Sequence, residues 1–250
     1  MRGIHIQSPL EFRLEVTGDT FVQGAEVPCR LTVKNHGQSA ASVHDLALEL
    51  ALGSLKKAKA KEDTAFEVIA SGEVERGCEV PPGGELSFLH TFLLDRNAPI
   101  SDKAQSPFLL YGSGASSAAL AQLPLMVAPH PHVRSLFDSM MTVYSFTPKG
   151  ETWKAGWTTT KLKAPDARRF SLVEELNLSC RFEGESLEVR FVFSVKKFDG
   201  FTAKVGVTKG KSEVTQRWNP SEYLFGGGFM RQEYVEKMVE EALGTVMTGF

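Results

Sequence analysis

The chain has 250 residues, 28 Lys plus Arg, 30 Asp plus Glu and a formal charge of -2. A 42% hydrophobic content supports packed cores and excludes wholesale disorder, and the near-zero charge excludes a dedicated nucleic-acid polycation. No apolar run approaches the roughly 18 residues needed to span a bilayer, and the opening Met1-Arg2-Gly3-Ile4-His5 lacks a signal-peptide core, so a cytoplasmic protein is expected.

Phe12 to Val16 alternates apolar and polar, the period of a half-buried strand, and turns follow at Thr17–Thr20 and Gln23–Glu26. Val27 to Val33 resumes the alternation with Val27, Cys29, Leu31 and Val33 on one face. Pro28, on the other face, predicts an edge or a bulge. Leu46 to Leu52, Phe66 to Ala70, Gly72 to Val80, Glu85 to Leu94 and Pro107 to Tyr111 continue the rhythm, with a strong turn at Pro81-Pro82-Gly83-Gly84. Short strands at about 8 to 12 residue spacing predict a sandwich or barrel, and no Gly-rich loop opens a helix after a strand.

Pro131 opens a predicted helix over 131–141, with Val133, Leu136, Phe137, Met140 and Met141 in one stripe. Strands are then expected at Thr142–Phe146, Trp153–Leu162, Ser171–Phe182, Glu188–Val195 and Phe201–Val207. Turns are expected at Gly184-Glu185-Ser186 and Lys209-Gly210-Lys211. Gly226-Gly227-Gly228 reads as a flexible joint before a helix over Arg231–Val246, where Glu233 and Lys237 stand at i and i+4.

All six histidines lie at or before His132, while Trp153, Trp157 and Trp218 lie after it. Residues 1–128 carry 11 basic and 15 acidic side chains, for -4, and the rest carry 17 and 15, for +2. Pro124, Pro129 and Pro131 interrupt any regular element between the two. A boundary near Ala128 is expected, with a first β-sandwich over 1–128, a second over 129–228 and a C-terminal helix over 229–250.

Leu14-Glu15-Val16, Gly24-Ala25-Glu26-Val27 and Leu31-Thr32-Val33 resemble the first hairpin of arrestin-like domains. Pro82-Gly83-Gly84-Glu85 before Phe88–Phe92, then Ala98-Pro99-Ile100-Ser101, is similar to the family's later strand pair and its exit. Pro129–Val133 and Glu174–Leu178 resemble the bacterial sporulation-control branch of that clan. The order of these motifs, from Phe12 to about Gly200, carries the likeness. Where that branch has an acidic stretch before its domain junction, Ser117–Gln122 has no acid. The resemblance implies a mainly all-β chain of two tandem arrestin-like β-sandwiches, without catalytic residues, acting as a regulatory scaffold or adaptor through protein contacts.

Residue by residue, little argues for other chemistry. His130 and His132 flank Pro131, but two ligands do not make a metal site. Lys56–Lys61 reads as a solvated hairpin loop rather than an anion site. Cys78 near Arg76 lacks a nucleophilic partner, and Cys29 and Cys180 read as core residues. The three cysteines, odd in number and scattered, fit a reducing compartment. Ser113-Gly114-Ala115 is no nucleophile elbow.

Trp153 and Trp157, with Lys154, belong to the rim of a core or form a stacking platform. The platform would make the chain a β-sandwich ligand-binding module for a small molecule or glycan. The C-terminal helix is either a strap over the second unit or a docking element for a protein partner or a second copy. In the docking case Leu224, Phe225, Phe229, Val235, Met238, Val239 and Ala242 are its contacts. No cofactor, metal or nucleic acid is expected.

Overall fold

The computed structural model describes residues 1–60, 62–74, 77–114, 116–199 and 206–248. It divides into two compact units, Met1–Ala128 and Pro129–Phe250.

In the first unit the chain runs β1 (Arg2–Gln7), β2 (Leu10–Val16), β3 (Phe21–Val22), β4 (Glu26–Asn35), β5 (Ala41–Val43) and β6 (Leu46–Ser54). A short helix, α1 (Leu55–Lys59), precedes β7 (Phe66–Ser71), β8 (Cys78–Val80), β9 (Glu85–Leu93), β10 (Gln105–Ser113), β11 (Ala121–Pro124) and β12 (Val127–Ala128). Two antiparallel four-stranded sheets, β1-β2-β4-β9 and β11-β10-β6-β7, face each other. Alternation decides what lies between them. Phe12 and Leu14 of β2, Leu31 and Val33 of β4, Leu48 and Leu50 of β6 and Leu109 of β10 are all buried in one core. On the other face of the second sheet, Ala51 of β6 joins Phe108 and Leu110 of β10 and Leu120 in a smaller cluster, as strand alternation requires.

The edge expected at Pro28 is local to that residue. β4 is an inner strand between β2 and β9. The Pro28 carbonyl accepts from the Thr17 amide at 3.1 Å, just past the end of β2, so the ring nitrogen faces a side where the ladder has stopped. Lys56–Lys59 lie in α1 rather than in a loop, and among the described residues of Gly72–Val80 only Cys78–Val80 is strand. Lys61, Glu75 and Arg76 lie outside the described residues.

The second unit runs α2 (Pro131–Thr142), β13 (Thr147–Lys154), β14 (Trp157–Lys163), β15 (Val173–Glu183), β16 (Ser186–Asp199), β17 (Gly206–Trp218), α3 (Pro220–Tyr223) and α4 (Gln232–Thr248). The five strands form one antiparallel meander in sequence order. Leu176, Leu178, Leu187, Val189, Phe191 and Phe193 make its apolar face. This sandwich is asymmetric: among the described residues, α2 and α4 form the layer opposite the sheet, where a second sheet was expected. Val133, Leu136, Phe137 and Met140 from α2, and Val235, Val239, Ala242, Leu243 and Val246 from α4, are buried in the same core.

Several local expectations change here. Trp153–Leu162 is a hairpin, because Ala155 and Gly156 take φ of 49 and 81, the left-handed pair a two-residue turn requires. Thr142 ends α2, and the next strand starts at Thr147 rather than at Thr142. Lys209-Gly210-Lys211 is not a turn but part of β17, paired with Val195 and its neighbours on β16. Residues 201–205 of the expected strand at 201–207 lie outside the described residues.

A candidate partner-contact site

The three glycines form a tight loop, not a flexible joint. Leu224 and Met230 bridge antiparallel across it. The Phe225 amide donates to the Phe229 carbonyl at 2.8 Å, and the Gly228 amide donates to the Phe225 carbonyl at 3.1 Å. Gly227 and Gly228 take φ of 100 and 82, a region that residues with a Cβ occupy only with strain.

Both flanks are fastened. The Arg231 side chain donates to the Leu224 carbonyl at 2.9 Å and lies 5.1 Å from the Phe225 ring centre. His132, at the start of α2, donates from Nε2 to the Gly228 carbonyl at 2.8 Å. On this rigid loop Phe225 is 57% exposed and Phe229 76% exposed. Each phenyl ring covered by a partner would contribute up to about 1.5 to 3 kcal/mol.

The seven residues expected to form one docking face are therefore separated. Val235, Val239 and Ala242 are buried in the core of their own unit, and Met238 and Leu224 pack against it. Only Phe225 and Phe229 face outward. The α4 backbone is tied down as well. Gln216 donates to the Met238 carbonyl at 3.0 Å, Tyr144 donates to the Glu236 carbonyl at 3.3 Å, and Arg169 pairs with Glu240. On the outer face, Lys237 stands nearest Glu241, at 4.0 Å. A stripe of apolar residues at helical spacing looks the same whether its own sheet or a partner covers it, which is why the sequence left strap and docking helix both open.

Other candidates have structural work. His130 Nδ1 accepts from the His132 amide at 3.2 Å, capping α2, and its ring lies 4.6 Å from that of Phe182. No group of three potential metal ligands occurs among the described residues. Trp157 has the guanidinium groups of Arg181 and Arg190 at 4.6 and 4.3 Å from its ring centre, so its π surface is already engaged. Arg181 also pairs with Glu188, and Arg190 with Glu213. Trp218 is buried, its indole donating to Gln216 at 3.0 Å. Cys29, Cys78 and Cys180 are all buried, and burial pushes the Cys29 thiol up to about 12. Lys57 donates to Thr64 at 3.2 Å.

No protein-family model matches the chain, and no curated protein does. Among solved structures it is similar to the crystal structure of Spo0M, a sporulation control protein from Bacillus subtilis. The TM-score is 0.68 at 17% identity, over 96% of this chain and 99% of that one. The strand-rich, arrestin-like fold implied by the motif order is thus the fold of this chain, with, among the described residues, two four-stranded sheets in the first unit and one sheet covered by α2 and α4 in the second. Two further structures are similar over 50% of the chain. One is the Pseudomonas fluorescens alkylpurine DNA glycosylase AlkC (TM-score 0.28, 10% identity, 30% of that chain). The other is a Listeria innocua β-glucosidase (TM-score 0.29, 16% identity, 17% of that chain).

Proposed function

We propose that this chain is a non-enzymatic regulatory scaffold of the sporulation-control, arrestin-like type, and that it works by binding protein partners in the cytoplasm. The carrying observation is the pair of exposed rings, Phe225 and Phe229, on a loop held from both sides. Large apolar side chains presented rigidly lose little conformational freedom on binding, which favours anchoring in a partner's pocket. The likeness to Spo0M along the whole chain supports a regulatory role. The three buried thiols suit a reducing compartment. Open sheet edges offer a second mode of contact, strand addition. Ile4 and Ile6 are exposed on the edge strand β1.

The test compares wild type with a Phe225→Ser/Phe229→Ser variant by affinity capture from the native lysate, alongside sedimentation of the purified chains. The expected result is a specific partner, or a self-associated species, that the variant loses while its melting temperature is unchanged. Equal capture by both proteins, or no specific association by either, overturns the reading.

A further inference from the structure

On the outward face of the second unit's sheet, charge is arranged differently at the two ends. Toward the β15–β16 hairpin each arginine meets a carboxylate: Arg181 with Glu188, Arg190 with Glu213 and Arg217 with Glu183. At the opposite end lies a groove of about 1180 Å³ in which that matching stops. Lys163, Arg168, Lys196 and Lys211 line it, and none of the four has an ion pair among the described residues. A fifth cation, Lys149, is used with Lys161 to neutralise Glu175. Asp166 and Glu174 also line the groove, so cations still outnumber carboxylates.

The wall of this groove is fixed. The segment joining β14 to β15 is pinned by the buried ring of Phe170, edge-on to Phe146 at 5.2 Å. Backbone bonds from Ala164 to Glu174 (3.1 Å) and from Lys196 to Leu172 (2.8 Å) hold its two ends. Adjacent arginines divide the labour. Arg169 pairs with Glu240 on α4, leaving Arg168 exposed on the groove side.

Register fixes the spacing. Lys163, Glu175, Ser194 and Lys211 stand opposite one another across four successive strands. Three strand intervals place the backbones of Lys163 and Lys211 about 14 Å apart, with Glu175 already neutralised between them. An extended chain of phosphates meets both lysines with their side chains upright, whereas a single phosphate reaches both only where the two lean together over Glu175. No exposed aromatic ring lines the groove, since Phe170 is buried and Trp157 lies toward the other end of β14.

We propose that this groove binds a linear oligophosphate, recognised through its phosphates alone, with Lys163 and Lys211 holding the two ends and Arg168 and Lys196 the middle. The test is calorimetric titration of the full chain with tripolyphosphate, orthophosphate, ATP and adenosine, repeated at rising salt. Tripolyphosphate should bind saturably and weaken with salt, orthophosphate should bind at least about tenfold more weakly, and ATP should bind no tighter than tripolyphosphate. Lys163→Ala and Lys211→Ala should each cost about tenfold, with the thermal transition retained, since both side chains are solvent-facing.

No saturable tripolyphosphate binding overturns the proposal, as does an unchanged affinity in the Lys163→Ala/Lys211→Ala variant. Orthophosphate binding as tightly as tripolyphosphate would reduce the site to a single-anion contact and overturn the spanning geometry. ATP binding tighter than tripolyphosphate, or adenosine competing, would make the site a nucleoside site and overturn recognition by phosphate alone. The Phe225→Ser/Phe229→Ser variant should bind tripolyphosphate normally, which separates this proposal from the partner-contact reading.

Discussion

His132 Nε2 donates to the carbonyl oxygen of Gly228 at 2.8 Å, joining residues 96 positions apart in the chain. The bond ties the first turn of α2 to the tip of the aromatic loop. His132→Ala should therefore cost about 1 kcal/mol. Hydrogen exchange should quicken at the Phe225 and Gly228 amides while the β15–β16 ladder stays protected. Unchanged exchange at the loop would show that the backbone bonds across it suffice alone.

α4 completes a core rather than decorating it. Leu243 is 1% exposed, and Leu243→Ala should cost about 2 to 5 kcal/mol through lost burial and the cavity left behind. Removing residues 232–250 should abolish the cooperative unfolding of the second unit. Urea unfolding followed by the fluorescence of Trp218, buried in that core, reads both changes.

Gly53 tests the first unit. A Cβ there would lie 2.6 Å from the Phe108 ring and 2.7 Å from that of Phe66, two rings already packed edge to face at 5.3 Å. Gly53→Ala should destabilise by about 1 to 3 kcal/mol, seen as a lower denaturation midpoint without a change in slope.

Glu175 should add a small acid-sensitive contribution to stability. Hydrogen bonds from Lys149 and Lys161 hold its carboxyl down at about 2, against an ordinary value of 4.5. A group depressed in the folded state stabilises fully above its unfolded value, and that stabilisation is lost as the pH falls from 4.5 toward 2. Glu175→Gln should flatten the stability curve across that window, measured by thermal denaturation at stepped pH. The contribution is small, because Glu175 sits on the solvent-facing side of the sheet.

Thiol chemistry should report integrity of both units. Burial raises the Cys29 and Cys180 thiols above the usual range, and Cys78 is buried too. Iodoacetamide at neutral pH should leave the native chain unmodified and add three groups in denaturant, counted by intact mass. Rapid native labelling would contradict this packing.

Much of the architecture is legible in period-2 alternation, because a strand buried on one face writes its burial into the sequence. Val27, Cys29, Leu31 and Val33 are all inward, as their spacing predicts. The errors have local causes. The Ala155-Gly156 turn lacks the Asn or Asp that usually marks such a hairpin, so the last two residues of β13 and most of β14 read as one strand, and Thr147–Thr152 is not read as strand at all. In Arg2–Gln7 the apolar residues Ile4 and Ile6 are exposed while Gly3, His5 and Gln7 are half-buried, so the segment gives no core signal.

The site was less legible than the fold. In the sequence Phe225 and Phe229 stand beside Val235 and Val239 as equal apolar candidates, although the core of the unit covers the two valines and leaves the two rings exposed. The groove cations are spread over 63 positions of sequence, from Lys149 to Lys211. Only strand register brings Lys163 opposite Lys211, and no local window contains that information.

The order of elements in the second unit carries a consequence for its synthesis. All five strands precede α4 in the chain, so a growing polypeptide can finish the sheet while Phe191, Phe193 and Val195 still lack half of their cover. At roughly 5 to 20 residues per second, the nascent chain shows that greasy face to its surroundings for seconds before residues 232–248 emerge. That interval, rather than any weakness of the finished molecule, is when chaperones would be needed most.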